Sequence, residues 1–223
     1  MKTLAVYNNK GGVGKTTLAA HVVYAADALG VRTIAVAMDR QGDLPKWLSR
    51  GDAGHRDGAV FDFSKSVTVV YSPDAPPTGL RGAELVVVDT PASIEIASRV
   101  KADLWIAPCD GRMAIEDLTN VLPSMLGESS QVLLVFNRAD AGGQRTLAAM
   151  QKAASRVRGL SVWGKVVPDS AAIKRAGEFY APAWEVPYGA GTNGVQVLQE
   201  LASDVLARLG FARRSVRRVA ERG

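Results

Sequence analysis

Short, uniformly apolar runs alternate along the chain with longer stretches in which apolar positions recur every three or four residues. The runs at residues 4–7, 33–38, 67–71, 84–89, 104–108, 131–136 and 161–167 predict strands. Helical spacing over residues 16–29, 44–48, 94–101, 114–126, 145–157 and 194–209 predicts helices between and after them, the first stopped by Gly30. Strands that are apolar on both faces belong to a parallel sheet covered on both sides. Alternation of strand and helix then predicts an α/β fold: a doubly wound, mostly parallel sheet with helices on both faces. Ligands of such sheets bind at the carboxyl ends of the strands, so the residues just after each strand are the ones to read for chemistry. Residues 51–66, rich in Gly and Asp, and 72–82, with Pro73, Pro76 and Pro77, read as surface loops.

A chain of 223 residues fits one domain, expected over residues 1–210, followed by a basic tail at 211–223 with five arginines and one acid. The net charge of +5 suits an anionic partner, nucleic acid or membrane, without choosing between them. Cys109 is alone, which rules out an internal disulfide and argues against a thiolate zinc or iron–sulfur site within one chain. The two histidines, His21 in a predicted helix and His55 in a polar loop, are too few for a metal centre and read as structural or solvated. No basic-then-apolar leader and no apolar run of about 18 residues is present, so the cytoplasm is the expected location.

The most specific chemistry follows the first strand, at Asn9-Lys10-Gly11-Gly12-Val13-Gly14-Lys15-Thr16-Thr17. Glycines at 11, 12 and 14 let the backbone curl so that its N–H groups face a phosphate, and the helix beginning near Lys15 adds the positive end of its dipole. Lys15 can reach β- and γ-phosphate oxygens, and the Thr16 hydroxyl can ligate Mg²⁺. The strict P-loop spacing wants glycine where Asn9 stands, yet the chemistry survives that change. Gly11, Gly12, Val13, Gly14, Lys15, Thr16 and Thr17 are the predicted nucleotide-binding set. The apolar strand Val86-Val87-Val88 ends in Asp89, a Walker B pattern that supplies the second Mg²⁺ residue beside Thr16.

Lys-Gly-Gly-Val-Gly-Lys-Thr-Thr resembles the deviant phosphate loop of the ParA/MinD family of ATPases. The resemblance implies that Lys10 reaches across a dimer interface to the partner's ATP. Met38-Asp39-Arg40-Gln41-Gly42 resembles the family's Asp-x-Asp-Pro-Gln-Gly, with Asp39 on the aspartate that orients the attacking water. Lys10, Lys15 and Asp39 are thus the implied catalytic set. Ala37 and Arg40 depart from the pattern, where the family has aspartate and proline. Asp89-Thr90-Pro91-Ala92 looks like the family's switch segment. Asn137, after strand six, and Pro168, after strand seven, fall where the family contacts adenine. The resemblance runs from residue 2 to about 209 and is closest to small plasmid-type ParA proteins.

It implies an ATP-dependent homodimer with Mg²⁺, binding DNA without sequence preference to partition a plasmid or chromosome, with slow hydrolysis stimulated by a ParB-like adaptor. Candidate DNA contacts are Lys174, Arg175, Arg208, Arg213, Arg214, Arg217 and Arg218, since arginine and lysine grip phosphates without reading bases. Two alternatives stay open. A MinD-like membrane-surface ATPase needs an amphipathic C-terminal helix, for which Phe211, Val216 and Val219 are a thin set. A metal-carrier relative would need a cluster shared through Cys109 of two chains.

Overall fold

The computed structural model describes residues 1–52, 56–110, 130–139, 143–155 and 158–211. The helix expected at 114–126, His55 and the tail arginines Arg213, Arg214, Arg217 and Arg218 lie outside them. Eight strands form one sheet: β1 (Lys2–Val6), β2 (Thr33–Ala37), β3 (Val60–Asp62), β4 (Val67–Tyr71), β5 (Leu85–Asp89), β6 (Leu104–Cys109), β7 (Gln131–Ala139) and β8 (Leu160–Pro168). Their order is β3-β4-β2-β5-β1-β6-β7-β8, and every pairing is parallel except β3 with β4. The described helices are α1 (Lys15–Ala28), α2 (Asp43–Leu48), α3 (Ile94–Ala97), α4 (Gly143–Ala154), α5 (Ala171–Phe179) and α6 (Asn193–Arg208).

Side-chain alternation divides the core into two layers, as a period of two requires. Leu4 and Val6 of β1 join the layer containing α1, α2, α5 and α6, whereas Ala5 and Tyr7 face the layer containing α3 and α4. Both are fully buried, which is why the strands read as continuous apolar runs. Three local readings change. The loop at 51–66 contains β3, whose three residues are too few and too exposed to leave a strand pattern. Helix α3 stops at Ala97, one turn after its Ser93 cap, short of the expected residue 101. Helix α5 adds an element to the expected set, with Ala172 and Ala176 buried one turn apart and Ile173 partly buried beside them.

Behind the loop that follows β1, His21 ties α1 to a distant segment. The ring is fully buried, its Nε2 accepts from the Ala183 N–H at 2.9 Å, and Nδ1 lies 2.6 Å from the Thr17 carbonyl oxygen. An accepting Nε2 leaves the proton on Nδ1, so a neutral ring satisfies both contacts. Edge contacts to Tyr24, Trp47 and Trp184 complete its cage. Burial holds the imidazole down at about 4, against 6.5 when exposed. The unfolded chain therefore takes up the proton first. The stability this ring confers is complete above about pH 6.5 and is lost as pH falls toward 4, a change of about 3 kcal/mol. Denaturant unfolding should find His21→Asn destabilised at neutral pH, with its gap to the parent narrowing by about that amount at pH 4. A gap independent of pH would show that the ring does not titrate in this window.

Candidate functional site

The carboxyl ends of β1, β2, β5, β6, β7 and β8 converge on one edge of the sheet, and the loop between β1 and α1 sits at its centre. Asn8 anchors that loop: its Nδ2 donates to the Pro108 carbonyl at 2.7 Å and its Oδ1 accepts from the Lys10 N–H at 2.8 Å. Gly14 closes it in the left-handed region at φ 95°, where a Cβ would strike the Asn137 amide. Gly14 also serves as the N-cap of α1. No side chain caps that terminus and its first turn carries no acid. Its N–H groups are thus available to an anion, with the dipole adding to the attraction.

Lys15 is the charge aimed at this position. It is only 8% exposed, and its Nζ donates to the Lys10 carbonyl at 3.1 Å. Burial lowers its pKa, against the raising influence of Asp89 and Asp39. Thr16 Oγ1 donates to Asp89 Oδ2 at 2.8 Å, so the two residues expected to share a metal already touch. Asp89 is buried, its Oδ1 has no hydrogen-bond partner, and burial pushes its carboxyl up to about 7. An orphaned carboxylate oxygen beside a hydroxyl and a phosphate cradle fits Mg²⁺ bound to a nucleotide. Thr16 and Asp89 would hold the ion, which would offset phosphate charge.

The cleft in front of Lys15 measures about 480 Å³ and is lined on the near side by the glycine loop, Thr16 and Thr17. Asp39 and Gln41 form a second wall, and the Asp39 Oδ1 accepts from the Gln41 N–H at 3.0 Å. Trp47 of α2 and Tyr180 after α5 line the far side; sequence periodicity marks neither, since each reaches the cleft through tertiary packing. Ala37 lies opposite Asp89 in the β2–β5 register and is buried, so a carboxylate is missing from the immediate neighbourhood of Asp89.

Lys10 does not line this cleft. Its ammonium instead meets Asp110, after β6, at 2.7 Å and remains more than half exposed. Asn137 is buried and its Nδ2 donates to the Val13 carbonyl at 2.7 Å, so it braces the loop as well as lining a small neighbouring cavity with Pro168. Of the predicted basic residues, Lys174, Arg175 and Arg208 are described, on two different helices. Lys174 borders that small cavity and pairs with Asp169 at 2.7 Å; its neighbour Arg175 is half-buried on α5. The first turn of α6 abuts Ser170, at the start of α5, through Gly194. Arg208, in the last turn of α6, is therefore roughly 20 Å further along that helix at 1.5 Å per residue. Cys109 is buried at the end of β6, and burial pushes its thiol up to about 12. Among the described residues no helix is long and apolar enough to cross a membrane.

A family model described as the CobQ/CobB/MinD/ParA nucleotide binding domain matches residues 4–183. The chain is 36% identical over 143 residues to maintenance of carboxysome distribution protein A of Gloeobacter kilaueensis, covering 60% of this chain and 62% of that relative. The alignment thus spans less than two thirds of the relative's length. Among solved structures, the septum site-determining protein MinD of Pyrococcus horikoshii, complexed with Mg-ADP, superposes with a TM-score of 0.71 at 20% identity, over 92% of this chain and 95% of that one. A single-substitution variant of Cyanothece McdA in complex with ATP gives 0.69 at 17% identity, over 93% and 96%. At such identities these two likenesses speak for the fold.

Proposed function

The chain belongs to the CobQ/CobB/MinD/ParA nucleotide-binding family, and on that premise we propose that it is a Mg-ATP hydrolase of the ParA/MinD type that positions a large cargo on DNA. ATP closes two copies face to face, the closed dimer grips DNA without sequence preference, and a partner protein stimulates hydrolysis to release it. The observation that carries this reading is the disposition of the two loop lysines. Lys15 serves its own cleft from within, buried at the start of α1. Lys10 stands outside that cleft, exposed, held by a surface ion pair with Asp110 from which it can move to a second nucleotide when the faces meet. In each cleft Lys15 and Lys10 of the opposing copy hold phosphate charge, Asp39 orients the attacking water, and Asn137 and Pro168 border the base. The identity to a carboxysome distribution protein favours a protein body over a plasmid as cargo.

DNA contact is assigned to Lys174, Arg175 and Arg208 together with Arg213, Arg214, Arg217 and Arg218. The grip draws on the combined surface of two copies, which is what lets ATP switch it. Binding to random-sequence duplex tests this. In Mg-ATP, with about six phosphates engaged, affinity should fall by about 1,000-fold between 50 and 200 mM salt, and it should be absent in Mg-ADP. Lys10→Ala should bind ATP as a monomer and lose both the dimer and the DNA. A dimer that forms in ATP yet binds no DNA would discard the DNA-based reading and direct attention to anionic vesicles.

A further inference from the structure

Asp39 sits on an exposed turn, and a carboxylate that orients water is useful only if that turn is held still. Its internal bonds are slight: the Gln41 N–H to Asp39 Oδ1 at 3.0 Å and the Gly42 N–H to the Asp39 carbonyl at 3.0 Å. The restraint comes from the end of β4. Strands β2 and β4 pair in parallel, which sets Tyr71 beside Ala37, two residues before Asp39. Buried Tyr71 donates its hydroxyl to the Arg40 carbonyl at 2.9 Å, and its ring packs against the position of Gly42. Three residues on, the Asp74 carboxylate pairs with the Arg40 guanidinium. The Asp74 N–H donates to the Met38 carbonyl at 3.2 Å, and its φ of 64° turns the chain back toward the loop. Arg40, which stands where the resembling motif has a stiff proline, is therefore gripped at both its carbonyl and its side chain.

We propose that Tyr71 and Asp74 are positioning residues for the Asp39 loop, holding Arg40 and, through it, the water-orienting carboxylate at the mouth of the phosphate cleft. This rests on the hydrolase reading given above. An exposed ion pair contributes little to overall stability. Its worth here is geometric: the Met38 N–H still donates to the Asp89 carbonyl at 2.9 Å and the Lys46 Nζ reaches the Gln41 carbonyl at 3.1 Å, but Arg40 itself, next to Asp39, is held by Tyr71 and Asp74.

Tyr71→Phe keeps the buried ring and removes one hydroxyl. Asp74→Asn removes the charge while tolerating a left-handed backbone. In the nucleotide-free double variant, amide hydrogen exchange of residues 38–43 should rise several-fold while β1 and β5 keep their protection. ATP affinity should stay within about twofold of the parent and kcat should drop by about tenfold, the split expected when positioning rather than binding is lost. Unchanged exchange in the double variant would overturn the brace. So would an unchanged kcat in a protein whose turnover Asp39→Ala removes. A parent that hydrolyses no faster than Asp39→Ala would instead count against the hydrolase reading, with the exchange measurement still deciding whether Tyr71 and Asp74 hold the loop.

Discussion

Replacing Lys15 by alanine is expected to weaken ATP binding by about 10²- to 10⁴-fold while leaving the nucleotide-free protein at least as stable as the parent. The ammonium is buried at the floor of the cleft, and within the described residues its one hydrogen bond is to the Lys10 carbonyl. Desolvation is the largest influence on its pKa and lowers it, so the charged form is held in the fold at a cost. That cost is offset when phosphate oxygens arrive. Two charge-assisted hydrogen bonds, at about 1.5–3 kcal/mol each, translate to a loss of about 10²- to 10⁴-fold in affinity. The same truncation relieves a desolvated charge, so the unfolding temperature should hold or rise, the opposing signs typical of a binding site. Calorimetric titration with Mg-ATP and a thermal melt without it check both halves. Affinity within tenfold of the parent would mean that the loop backbone and helix dipole hold the phosphates alone.

Lys15 was legible in the sequence because its chemistry is contiguous. Strand, glycine loop and helix start lie within 15 residues, and Gly12 and Gly14 adopt the left-handed backbone that favours glycine. The parallel sheet was legible for a similar reason, since strands covered on both faces lose their polar alternation. Residues that reach the site through register left no such trace. Tyr71 meets Arg40 because β4 lies beside β2, and Asp110 meets Lys10 because β6 lies beside β1. Trp47 and Tyr180 line the cleft because α2 and the end of α5 pack together, the Trp47 Nε1 donating to the Ala181 carbonyl at 3.2 Å. Basic residues show the limit from the other side. Lys174 and Arg208 read alike as surface cations, but one is paired with Asp169 at the edge of a cavity and the other stands at the far end of α6. Counting charges along the chain carries no information on that separation.

Asp89→Asn should remove hydrolysis and at the same time change how stability depends on pH. The carboxyl is buried with one oxygen shared with Thr16 and the other unpartnered, and burial raises its pKa from 3.8 to about 7. A raised carboxyl binds its proton more tightly in the folded state. Its contribution is complete below about pH 3.8 and is lost as pH rises through 7, amounting to about 4 kcal/mol by pH 8. This slope opposes that of His21, which gains stability between pH 4 and 6.5. The two nearly cancel, so the parent protein without nucleotide should be almost flat from pH 4 to 7. Asparagine keeps an acceptor for the Thr16 hydroxyl and cannot ionise, so the variant should show the His21 slope alone, gaining about 3 kcal/mol over that range. At pH 8 it should also be more stable than the parent. Hydrolysis should fall by about 100-fold or more, since the neutral amide no longer offers a charge to Mg²⁺ beside the phosphates. Denaturant unfolding across pH, paired with turnover at pH 8, separates the possibilities. A variant with parental turnover would remove Asp89 from the metal site, and one with the parental flat profile would show that burial does not hold this carboxyl protonated.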